Sequence, residues 1–537
     1  MEAGRPVLTV LRDRSGAAPV KVTLEADTSV REALDGTALR VRAACGGTGA
    51  CGVCVVEVID GLVNPPTSSE RAKLDASELG RGLRLACQLR LREAATIVLR
   101  NPAPESAWKS IPDEALPSAR YRLADLTCNV YGVAVDLGTT HLRVALWDRR
   151  RGQRIASRLG PNPQAAFGAD VLNRLTAASK ANRALELTEL AQGAVVGAVE
   201  DMLARDVGEV TKMLPEVGQV VIVGNTAMLA LLTGRGGQLL LDPGNWQRAV
   251  DCQPPDDPRW RSRWRLPNAE IIVLPPVSGF VGSDLVADLA ATSLEGGRAP
   301  ALLLDVGTNT EVALWDGRRI RVTSVPGGPA FEEGGFSSGV RAEEGAIRSV
   351  TRLAGAFQLD VIGGGEARGY CGSGLVDAIA ALVDAGVLRA SGRFAAPSDA
   401  GGVLLDRTNR RTIIAGAAVD AFQRAKAAMA AAVSVLLADA GLGWNELGRV
   451  CVCGAFGRGL DVRNAQALGL LPPVDPSAIE LYANATLEGC ERIMLSLRPT
   501  VMAKELTTKV EQFNLALVAA YEMAFVEHLW LRPNAWR

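Results

Sequence analysis

The chain has 537 residues, of which 48% are apolar and 22% charged, a length that divides into roughly three or four domains of ordinary size. The 58 Lys and Arg residues nearly balance the 59 Asp and Glu residues, which excludes a strongly basic nucleic-acid-binding protein. The two histidines, His141 and His528, exclude a His-rich zinc site. The ten cysteines are the most informative feature of the composition.

The ends and the apolar stretches of the chain predict a protein that neither enters nor crosses a membrane. Residues 1–6 lead directly into a strand-like pattern, without the apolar stretch of a signal peptide. The longest apolar run, residues 427–438, is too short for a membrane helix of about 20 residues and predicts a buried core helix. We therefore expect a cytoplasmic protein with reduced cysteines, whose partners include neither nucleic acid nor membrane.

Four cysteines in the first hundred residues have the spacing of a metal cluster. Cys45, Cys51 and Cys54 lie in one glycine-rich loop, and Cys87 follows after 32 residues. Zinc sites usually combine two paired-cysteine knuckles, whereas glycines that aim backbone N–H groups at three clustered thiolates favour a [2Fe–2S] cluster. The pattern resembles the ferredoxin branch that includes adrenodoxin, which implies a β-grasp fold with these four cysteines as ligands. The alternative is four unrelated buried cysteines.

The pattern around these cysteines predicts the elements of such a domain, over residues 1–100. Strands are predicted at residues 7–11, 20–24, 53–60 and 95–99, with Gly61 ending the third, a short helix capped by Ser29 and a helical turn opened by the capping box Thr67-x-x-Glu70. The match of Gly47-x-Gly49-x-x-Gly52 to a dinucleotide fingerprint is discarded, because it does not lie between a strand and a helix. Residues 101–130 contain four prolines and predict a linker.

The rest of the chain contains an internal repeat. The stretch from Val133 to Thr140 recurs as Leu302 to Asn309, and each copy is followed by the run Val-Ala-Leu-Trp-Asp. The second turn is one residue shorter than the first. Each copy predicts a buried strand, a tight Gly-Thr turn and a returning strand. We therefore divide this region into two related halves, residues 131–300 and 301–537.

The repeated turns have the chemistry of phosphate binding, although a single such turn could also be an ordinary hairpin. Glycine lets the backbone approach a phosphate, and hydroxyl or amide side chains add donors. Asp136 and Asp305, which end the two strands, are predicted to organise Mg²⁺ and the attacking water. The predicted phosphate contacts are Gly138, Thr139, Thr140, Gly307, Thr308, Asn309 and Thr310.

The repeat resembles the superfamily of acetate and sugar kinases, Hsp70 and actin, abbreviated ASKHA. That resemblance implies an α/β ATPase domain with two duplicated halves and ATP bound between them. The strand before Gly454 and the turn from Gly454 to Gly457 are similar to the superfamily's adenosine motif, and Lys426 on the preceding helix could reach the ribose or adenine, or could simply be a buried or solvated lysine. A P-loop is excluded because no lysine in the chain follows a glycine.

Several further runs resemble one family, the ATP-dependent reductive activators of corrinoid proteins. These runs are residues 162–171, 223–228, 282–284, 328–332, 372–377 and 454–457. The resemblance implies delivery of an electron from the [2Fe–2S] cluster to Co(II) of a corrinoid protein, which restores Co(I) for methyl transfer. It also implies an upstream electron donor and a homodimer. Further candidate residues for the ATPase cleft, or alternatively structural residues, are Asp170, Glu332, Gly372 and Ser373.

One departure from the family pattern concerns the linker, because members can have an additional domain where this chain has only about thirty residues.

Three other functions stay open at this point. The chain could activate a different target, such as a 2-hydroxyacyl-CoA dehydratase; it could be a small-molecule kinase with an accessory domain; or it could be a binding module that senses redox state. The six remaining cysteines show no cluster spacing and are expected to be core thiols.

Overall fold

A computed structural model describes most of the chain, in two compact units. The residues described are 6–12, 19–25, 27–35, 37, 39–42, 47, 49, 51–103, 108–111, 130–168, 170–208, 210–254, 258–297, 300–327, 338–340, 342–353, 355–396, 401–454, 456 and 459–533. The first unit contains Met1–Leu241, Asp251–Pro275 and Ile493–Thr500, and the second contains Asp242–Val250, Pro276–Arg492 and Val501–Arg537.

The first hundred residues form a small mixed sheet with a helix against it. Its elements are β1 (Val7–Leu11), β2 (Val20–Thr23), α1 (Val30–Asp35), β3 (Val55–Val63), α2 (Ser68–Arg71), α3 (Ala76–Gly80), β4 (Leu83–Leu85) and β5 (Leu91–Leu99). The strand order is β2-β1-β5-β3-β4, and the parallel pairing of β1 with β5 is the β-grasp arrangement. Leu8, Leu34, Val56 and Ile97 lie in its core.

The local signals predicted here are confirmed, with one correction. Ser29 caps α1, because its hydroxyl accepts a hydrogen bond from the backbone of Glu32 at 3.2 Å, and the capping box of Thr67 and Glu70 is present. The prediction that Gly61 ends the third strand is wrong, since β3 continues to Val63. Gly61 instead lies in a β-bulge with a φ of 109°, where a Cβ would collide with the backbone of β5.

A six-stranded sheet with helices follows in the first unit. Its elements are β6 (Lys109–Ser110), β7 (Tyr131–Leu137), β8 (His141–Asp148), β9 (Gln153–Pro161), α4 (Val171–Ala177), α5 (Ala181–Met202), α6 (Val210–Met213), β10 (Val217–Gly224), α7 (Thr226–Thr233), α8 (Pro258–Trp264) and β11 (Glu270–Val273). The strand order is β11-β10-β7-β8-β9-β6. We call this sheet and its helices the first α/β half.

One segment of the predicted linker, residues 101–130, forms a short strand. Lys109 and Ser110 form β6, which pairs with the edge of β9. Trp108 packs on Gly160, where any side chain would collide with the Trp108 ring. The proline-rich composition hid this short edge strand, because two paired residues are too few to produce a periodic pattern.

The second unit contains another six-stranded sheet, which we call, with its helices, the second α/β half. Its elements are α9 (Ser283–Thr292), β12 (Ala301–Val306), β13 (Thr310–Trp315), β14 (Ile320–Val325), β15 (Ala346–Leu353), β16 (Ala356–Val361), β17 (Gly369–Tyr370), α10 (Gly372–Asp384), β18 (Gly402–Leu404), β19 (Ile413–Ala415), α11 (Gly416–Ala440), β20 (Arg449–Gly454), α12 (Val462–Ala467), β21 (Ile479–Leu481), α13 (Ala485–Met494), α14 (Pro499–Thr507), β22 (Val510–Gln512) and α15 (Ala519–His528). The main strand order is β21-β20-β12-β13-β14-β22.

The two halves repeat the same strand pairing, as the sequence repeat predicted. In the first, β8 pairs antiparallel with β7 and β9, and β10 pairs parallel with β7 and β11. In the second, β13 pairs antiparallel with β12 and β14, and β20 pairs parallel with β12 and β21. The duplicated α/β fold is therefore confirmed by topology as well as by sequence.

The long apolar helix α11 is the core of the second half. By length and composition it could cross a membrane, but 72% of its most apolar stretch is buried inside the protein. Phe422, Met429, Val433 and Leu436 pack against the sheet in one hydrophobic cluster. This burial matches the core helix that the apolar run predicted.

Candidate functional site

The cysteines of the small N-terminal domain come from two segments that the sheet brings together. Cys54 directly precedes β3, Cys87 lies two residues after β4, and the antiparallel pairing of these strands brings the two cysteines close together. Both side chains are buried, and Cys51 is half-buried. The nearby Cys87 thiol, together with burial, raises the pKa of Cys54. Cys45 lies outside the described residues.

The loop that carries these cysteines depends on glycine. Gly47, Gly49 and Gly52 have φ values of 94°, 79° and 73°, a region that other residues rarely adopt. A Cβ at Gly49 would lie 2.8 Å from the Cβ of Ser69. Gln88 closes the loop by donating to the Gly47 carbonyl at 3.1 Å. Buried thiols beneath a tight glycine cradle fit a thiolate-held iron–sulfur cluster.

The first phosphate turn joins β7 to β8. The backbone N–H of Gly138 donates to the His141 carbonyl at 3.0 Å, closing the turn, and a Cβ at Gly138 would lie 2.6 Å from that same oxygen. Asp136 is buried at the end of β7, and Arg143 on β8 donates to it at 3.1 Å. Burial raises the pKa of Asp136, although Arg143 lowers it. Asp136 thus faces a single guanidinium across the strand pair.

Three side chains that the sequence reasoning did not assign hold this turn. Asn225, which follows β10, donates to the hydroxyl of Thr139 at 2.9 Å. Asn162 donates to the Gly138 carbonyl at 2.9 Å, and Arg174 donates to the Thr139 carbonyl at 2.7 Å. Asn162 and Asn225 both occur within runs singled out in the sequence, so a polar residue following a buried strand was the available signal.

The second turn joins β12 to β13 and is one residue tighter, as predicted. The N–H of Gly307 donates to the Asn309 carbonyl at 3.0 Å. The pairing of β12 with β20 places Gly454 beside Val306. Gly454 has a φ of 77°, and its surroundings leave no space for a side chain. A Cβ at Gly454 would lie 2.5 Å from Oδ1 of Asp305. The structure therefore brings Asp305, Gly307 and Gly454 together.

The remaining predicted residues of these turns differ in exposure. Thr140 and Thr308 are half-buried and Asn309 is exposed, so their side chains or backbone are accessible to a ligand. Thr310 is fully buried on β13, and a Cβ at Gly327 would lie 2.7 Å from its hydroxyl. Its hydroxyl therefore faces the interior of the second half.

Three carboxylates gather around Asp305 in the second half, and of the four the sequence reasoning assigned only Asp305. Asp284 and Asp288 lie one turn apart on α9, and Glu311 is paired directly across from Asp305. Burial raises the pKa of Asp288 well above its ordinary value, and Asp305 and Asp284 raise it further. Burial, Asp284 and Asp305 raise the pKa of Glu311 in the same way.

We call Asp284, Asp288, Asp305 and Glu311 the acidic group. Hydrogen bonds from neighbouring hydroxyls fix two of its members. Thr486 donates to Asp288 at 2.9 Å, and Ser324 donates to Glu311 at 3.0 Å. Like charges placed opposite each other in a buried sheet are destabilising unless they are neutralised by protons or a cation. Among the described residues, no set of three or more Cys, His, Asp or Glu side chains has the arrangement of a metal site.

The N-terminus of α10 packs tightly on β15. The Cβ of any residue at Gly374 would collide with the Ile347 carbonyl, and Ser373 donates to the Arg348 carbonyl at 2.9 Å. A Cβ at Gly459 would lie 3.1 Å from the Ser373 hydroxyl, so Gly372 and Ser373 lie beside the loop that follows β20. Asn464 donates to Asp377 at 2.8 Å and ties α10 to α12.

The other predicted site residues have different surroundings. Asp170 is exposed and caps α4, accepting from the Asn173 backbone at 2.8 Å. Lys426 is fully buried, and its amine donates to the Trp530 carbonyl at 2.8 Å. Both residues therefore have partners within the fold, and a contact with ligand stays a prediction for each. Glu332 and Gly457 lie outside the described residues.

The remaining cysteines occupy core positions. Cys252, Cys371, Cys451, Cys453 and Cys490 are buried thiols, and Cys128 lies outside the described residues. Cys451 and Cys453 point to the same hydrophobic cluster from β20, as their alternation predicted. Burial, with Asp288 and Asp305, raises the pKa of Cys453 well above its ordinary value.

Three family models match successive parts of the chain. Residues 16–92 match the 2Fe–2S iron–sulfur cluster binding domain. Residues 131–296 match the model described as the RACo middle region, and residues 299–536 match the C-terminal domain of RACo, the ASKHA domain.

Two named relatives and one solved structure are similar over most of the chain. The corrinoid activation enzyme RamQ of Eubacterium limosum is 30% identical over 395 residues, which cover 68% of this chain and 64% of RamQ. The [Co(II) methylated amine-specific corrinoid protein] reductase of Methanosarcina barkeri is 24% identical over 427 residues, which cover 73% of this chain and 75% of the reductase. The structure titled reductive activator for corrinoid,iron-sulfur protein aligns over 98% of both chains with a TM-score of 0.62 and 24% identity, and shows the same fold.

The close approach at Gly454 can be tested with a matched glycine. Gly441 has a similar φ of 68° but open space around it, so Gly441→Ala should cost only the backbone strain of about 1–2 kcal/mol. Gly454→Ala should cost about 1–3 kcal/mol more through collision and weaken ATP binding at least tenfold by displacing Asp305. Urea unfolding and nucleotide titration measure both effects. Equal ATP affinity in the two variants would contradict this geometry.

The burial of Lys426 predicts a pH dependence. Burial lowers the pKa of Lys426 from 10.5 to about 7, so the unfolded chain binds a proton that the folded state lacks between these values. The free energy of unfolding should therefore rise with pH from 7 to 9, by about 1–2 kcal/mol from this group. Lys426→Met should flatten that rise in urea titrations, whereas exposed Lys504→Met should not. An unchanged slope in Lys426→Met would refute the prediction.

Proposed function

Because the chain belongs to the RACo family of reductive activators of corrinoid proteins, we propose that it uses ATP to pass an electron from a [2Fe–2S] cluster to Co(II) of a corrinoid protein. The product, Co(I), is the form that accepts a methyl group. The observation that carries this proposal is the presence, in one chain, of the buried cysteine loop and the duplicated Asp-Gly-Thr turns.

The cluster ligands in this proposal are Cys45, Cys51, Cys54 and Cys87. When bound, a [2Fe–2S] group supplies a one-electron carrier of low potential. This chain's own residues shape the site: the backbone N–H of Val53 donates to the Cys51 sulfur at 3.4 Å, and the burial of Cys54 and Cys87 shields them from water. Both effects set the energy of the added electron.

The nucleotide residues in this proposal are those of the two turns, with Gly454 and Gly457 at the adenosine. Asp305 and the rest of the acidic group are proposed to bind Mg²⁺, because a divalent cation would balance the buried negative charge that raises the pKa values of Asp288 and Glu311. Asp136 is proposed to act in the same way beside the first turn. Asp170, Glu332, Gly372, Ser373 and Lys426 remain secondary candidates.

ATP can drive an uphill electron transfer only if it favours one conformation or complex over another. We therefore propose that ATP binding or hydrolysis changes how the chain engages its corrinoid partner. A separate electron donor, a homodimer and a cytoplasmic location complete the proposal, together with domain boundaries at residues 100, 130 and 300.

The acidic group gives the Mg²⁺ proposal a test that combines stability and binding. With its pKa raised in the fold, Asp288 makes the protein less stable as pH rises above about 4, so Asp288→Asn should raise the unfolding temperature at pH 7.5 by about 1–3 °C. The same variant should lose the added thermal stability that MgATP gives the wild type. Exposed Asp420→Asn is the control. Undiminished MgATP stabilisation in Asp288→Asn would contradict the proposed ligand role.

The electron-transfer proposal is tested with a Co(II) corrinoid protein, a low-potential reductant and MgATP. The visible spectrum should develop the Co(I) band only when ATP is present, and Cys54→Ala should abolish the band, whereas Cys252→Ala should not. Failure to form Co(I) with any of several corrinoid partners would defeat the proposal. An electron paramagnetic resonance signal of [4Fe–4S] type would point to a dehydratase activator, and phosphorylation of a small molecule unaffected by Cys54→Ala would point to a kinase.

A further inference from the structure

Charged side chains, most of them buried, join the N-terminal cluster domain to the first α/β half, within the same compact unit. We call them the docking network. The cluster domain contributes Arg31, Asp35, Arg40 and Arg42, and the first α/β half contributes Arg158, Asp201, Arg205 and Asp206.

The centre of the docking network is Asp206. It accepts a hydrogen bond from Arg31 of the cluster domain at 3.1 Å, and Arg158 of β9 pairs with its other oxygen. Arg158 also donates to Asp201 at 2.7 Å. Arg31, Arg158 and Asp206 are all less than a tenth exposed, so these charges interact in a medium of low dielectric constant.

A local irregularity in α5 presents these side chains. After Met202 the helix widens into a π-helical turn over Leu203–Val207, a feature that recurs at functional sites. The wider turn lets Asp201 and Asp206 face the same guanidinium, and its Ala204 carbonyl accepts from Arg42 at 3.0 Å. The turn therefore makes contact with the cluster domain through both its backbone and its carboxylate.

Arg31 touches the cluster loop as well as Asp206. A Cβ at Gly47 would lie 3.3 Å from Nη1 of Arg31, and the Arg31 backbone donates to the Ala86 carbonyl, next to Cys87, at 3.0 Å. Burial alone would lower the pKa of Arg31, but Asp35 and Asp206, with Cys54 and Cys87, hold it above its ordinary value. One guanidinium thus lies beside the cluster loop at Gly47 and also pairs with Asp206.

The first half adds two arginines and two aspartates to the network, so docking adds little net charge. The group that it brings nearest to the cluster side is nevertheless the carboxylate of Asp206, which engages Arg31. Without docking, Asp206 would no longer share the charge of Arg31, which would interact only with Asp35 and the cluster thiolates. Docking therefore makes the surroundings of the cluster more negative.

We propose that Arg31 and Asp206 are positioning residues that make docking of the cluster domain depend on its redox state. The inference rests on the [2Fe–2S] cluster of the proposed function. One electron from an external low-potential donor reduces the cluster and adds one negative charge at its cysteines. That charge competes with Asp206 for Arg31 and repels the carboxylate, so the reduced domain docks more weakly than the oxidised one.

One structural feature makes the docked cluster domain easier to release. Nη1 and Nη2 of Arg205 and Nη1 of Arg40 are buried without a hydrogen-bond partner among the described residues, which makes the closed network costly. By thermodynamic reciprocity, docking that is weakened by reduction must also lower the reduction potential of the cluster. The docked cluster is the stronger reductant, and the electron that it receives favours its release toward an acceptor.

The test compares two charge-removing substitutions, one in the π-helical turn and one near the end of α5. Asp206→Asn removes the carboxylate that engages Arg31, whereas Glu200→Gln removes one that pairs with Arg265 instead. In redox titrations of the full-length protein, followed by electron paramagnetic resonance, the cluster potential of Asp206→Asn should be higher than that of wild type. Glu200→Gln should match the wild type. A tenfold weakening of docking on reduction corresponds to about 59 mV.

A second measurement needs no variant. Hydrogen exchange of the backbone amides at residues 203–208 should be about tenfold faster in the reduced wild-type protein than in the oxidised one, and Asp206→Asn should exchange rapidly in both states. Equal protection in both states of the wild type, or equal potentials in Asp206→Asn and Glu200→Gln, would overturn the proposal. Absence of a [2Fe–2S] signal would instead refute the proposed function, before the docking question arises.

Discussion

The parallel pairing of β12 with β20 brings the backbone of Gly454 so close to Asp305 that a side chain cannot fit between them. The equivalent pairing of β7 with β10 places Gly224 against the Leu137 carbonyl. Each pairing delivers an aspartate, a tight turn and a glycine to the same end of a sheet. In the second half, the second turn and the acidic group lie beside the pairing of β12 with β20. In the first half, the first turn and Asn225 lie beside the equivalent pairing of β7 with β10.

The two compact units differ in the balance of their buried positive and negative charges. In the second half, Asp288 and Glu311 are buried beside Asp305 with hydroxyl partners, so the excess is negative and suits a cation. In the first unit, the docking network combines arginines with aspartates, so that Asp206 pairs with Arg31 and Arg158, and Arg158 also pairs with Asp201. Carboxylates without cations favour ligand binding, whereas alternating pairs favour a specific contact between protein surfaces.

Much of the fold could be predicted from sequence because short patterns have direct structural causes. Ser29 and Thr67 cap helices, and the duplicated Asp-Gly-Thr turns recur with the strands around them. The extension of β3 beyond Gly61 could not be predicted, since a glycine that ends a strand and one that bulges within it look alike. Asp288 lies four residues after Asp284 on an otherwise apolar helix, but only the folded sheet shows that both approach Asp305. The partnership of Arg31 with Asp206 spans 175 positions, and a single sequence contains no signal for it.

If the cluster domain is released as proposed, the edge strand β6 sets the distance that it can move. Ala103 is bound to that domain through the Arg40 carbonyl at 2.8 Å, while Trp108 is packed on Gly160 of the first half. Five peptide links join these two anchors, so the chain between them can span about 17 Å at most. An undocked cluster domain would therefore stay within this short distance of the first half. A partner would have to bring its electron acceptor within that distance. Otherwise, it would have to separate β6 from β9 and so lengthen the connection.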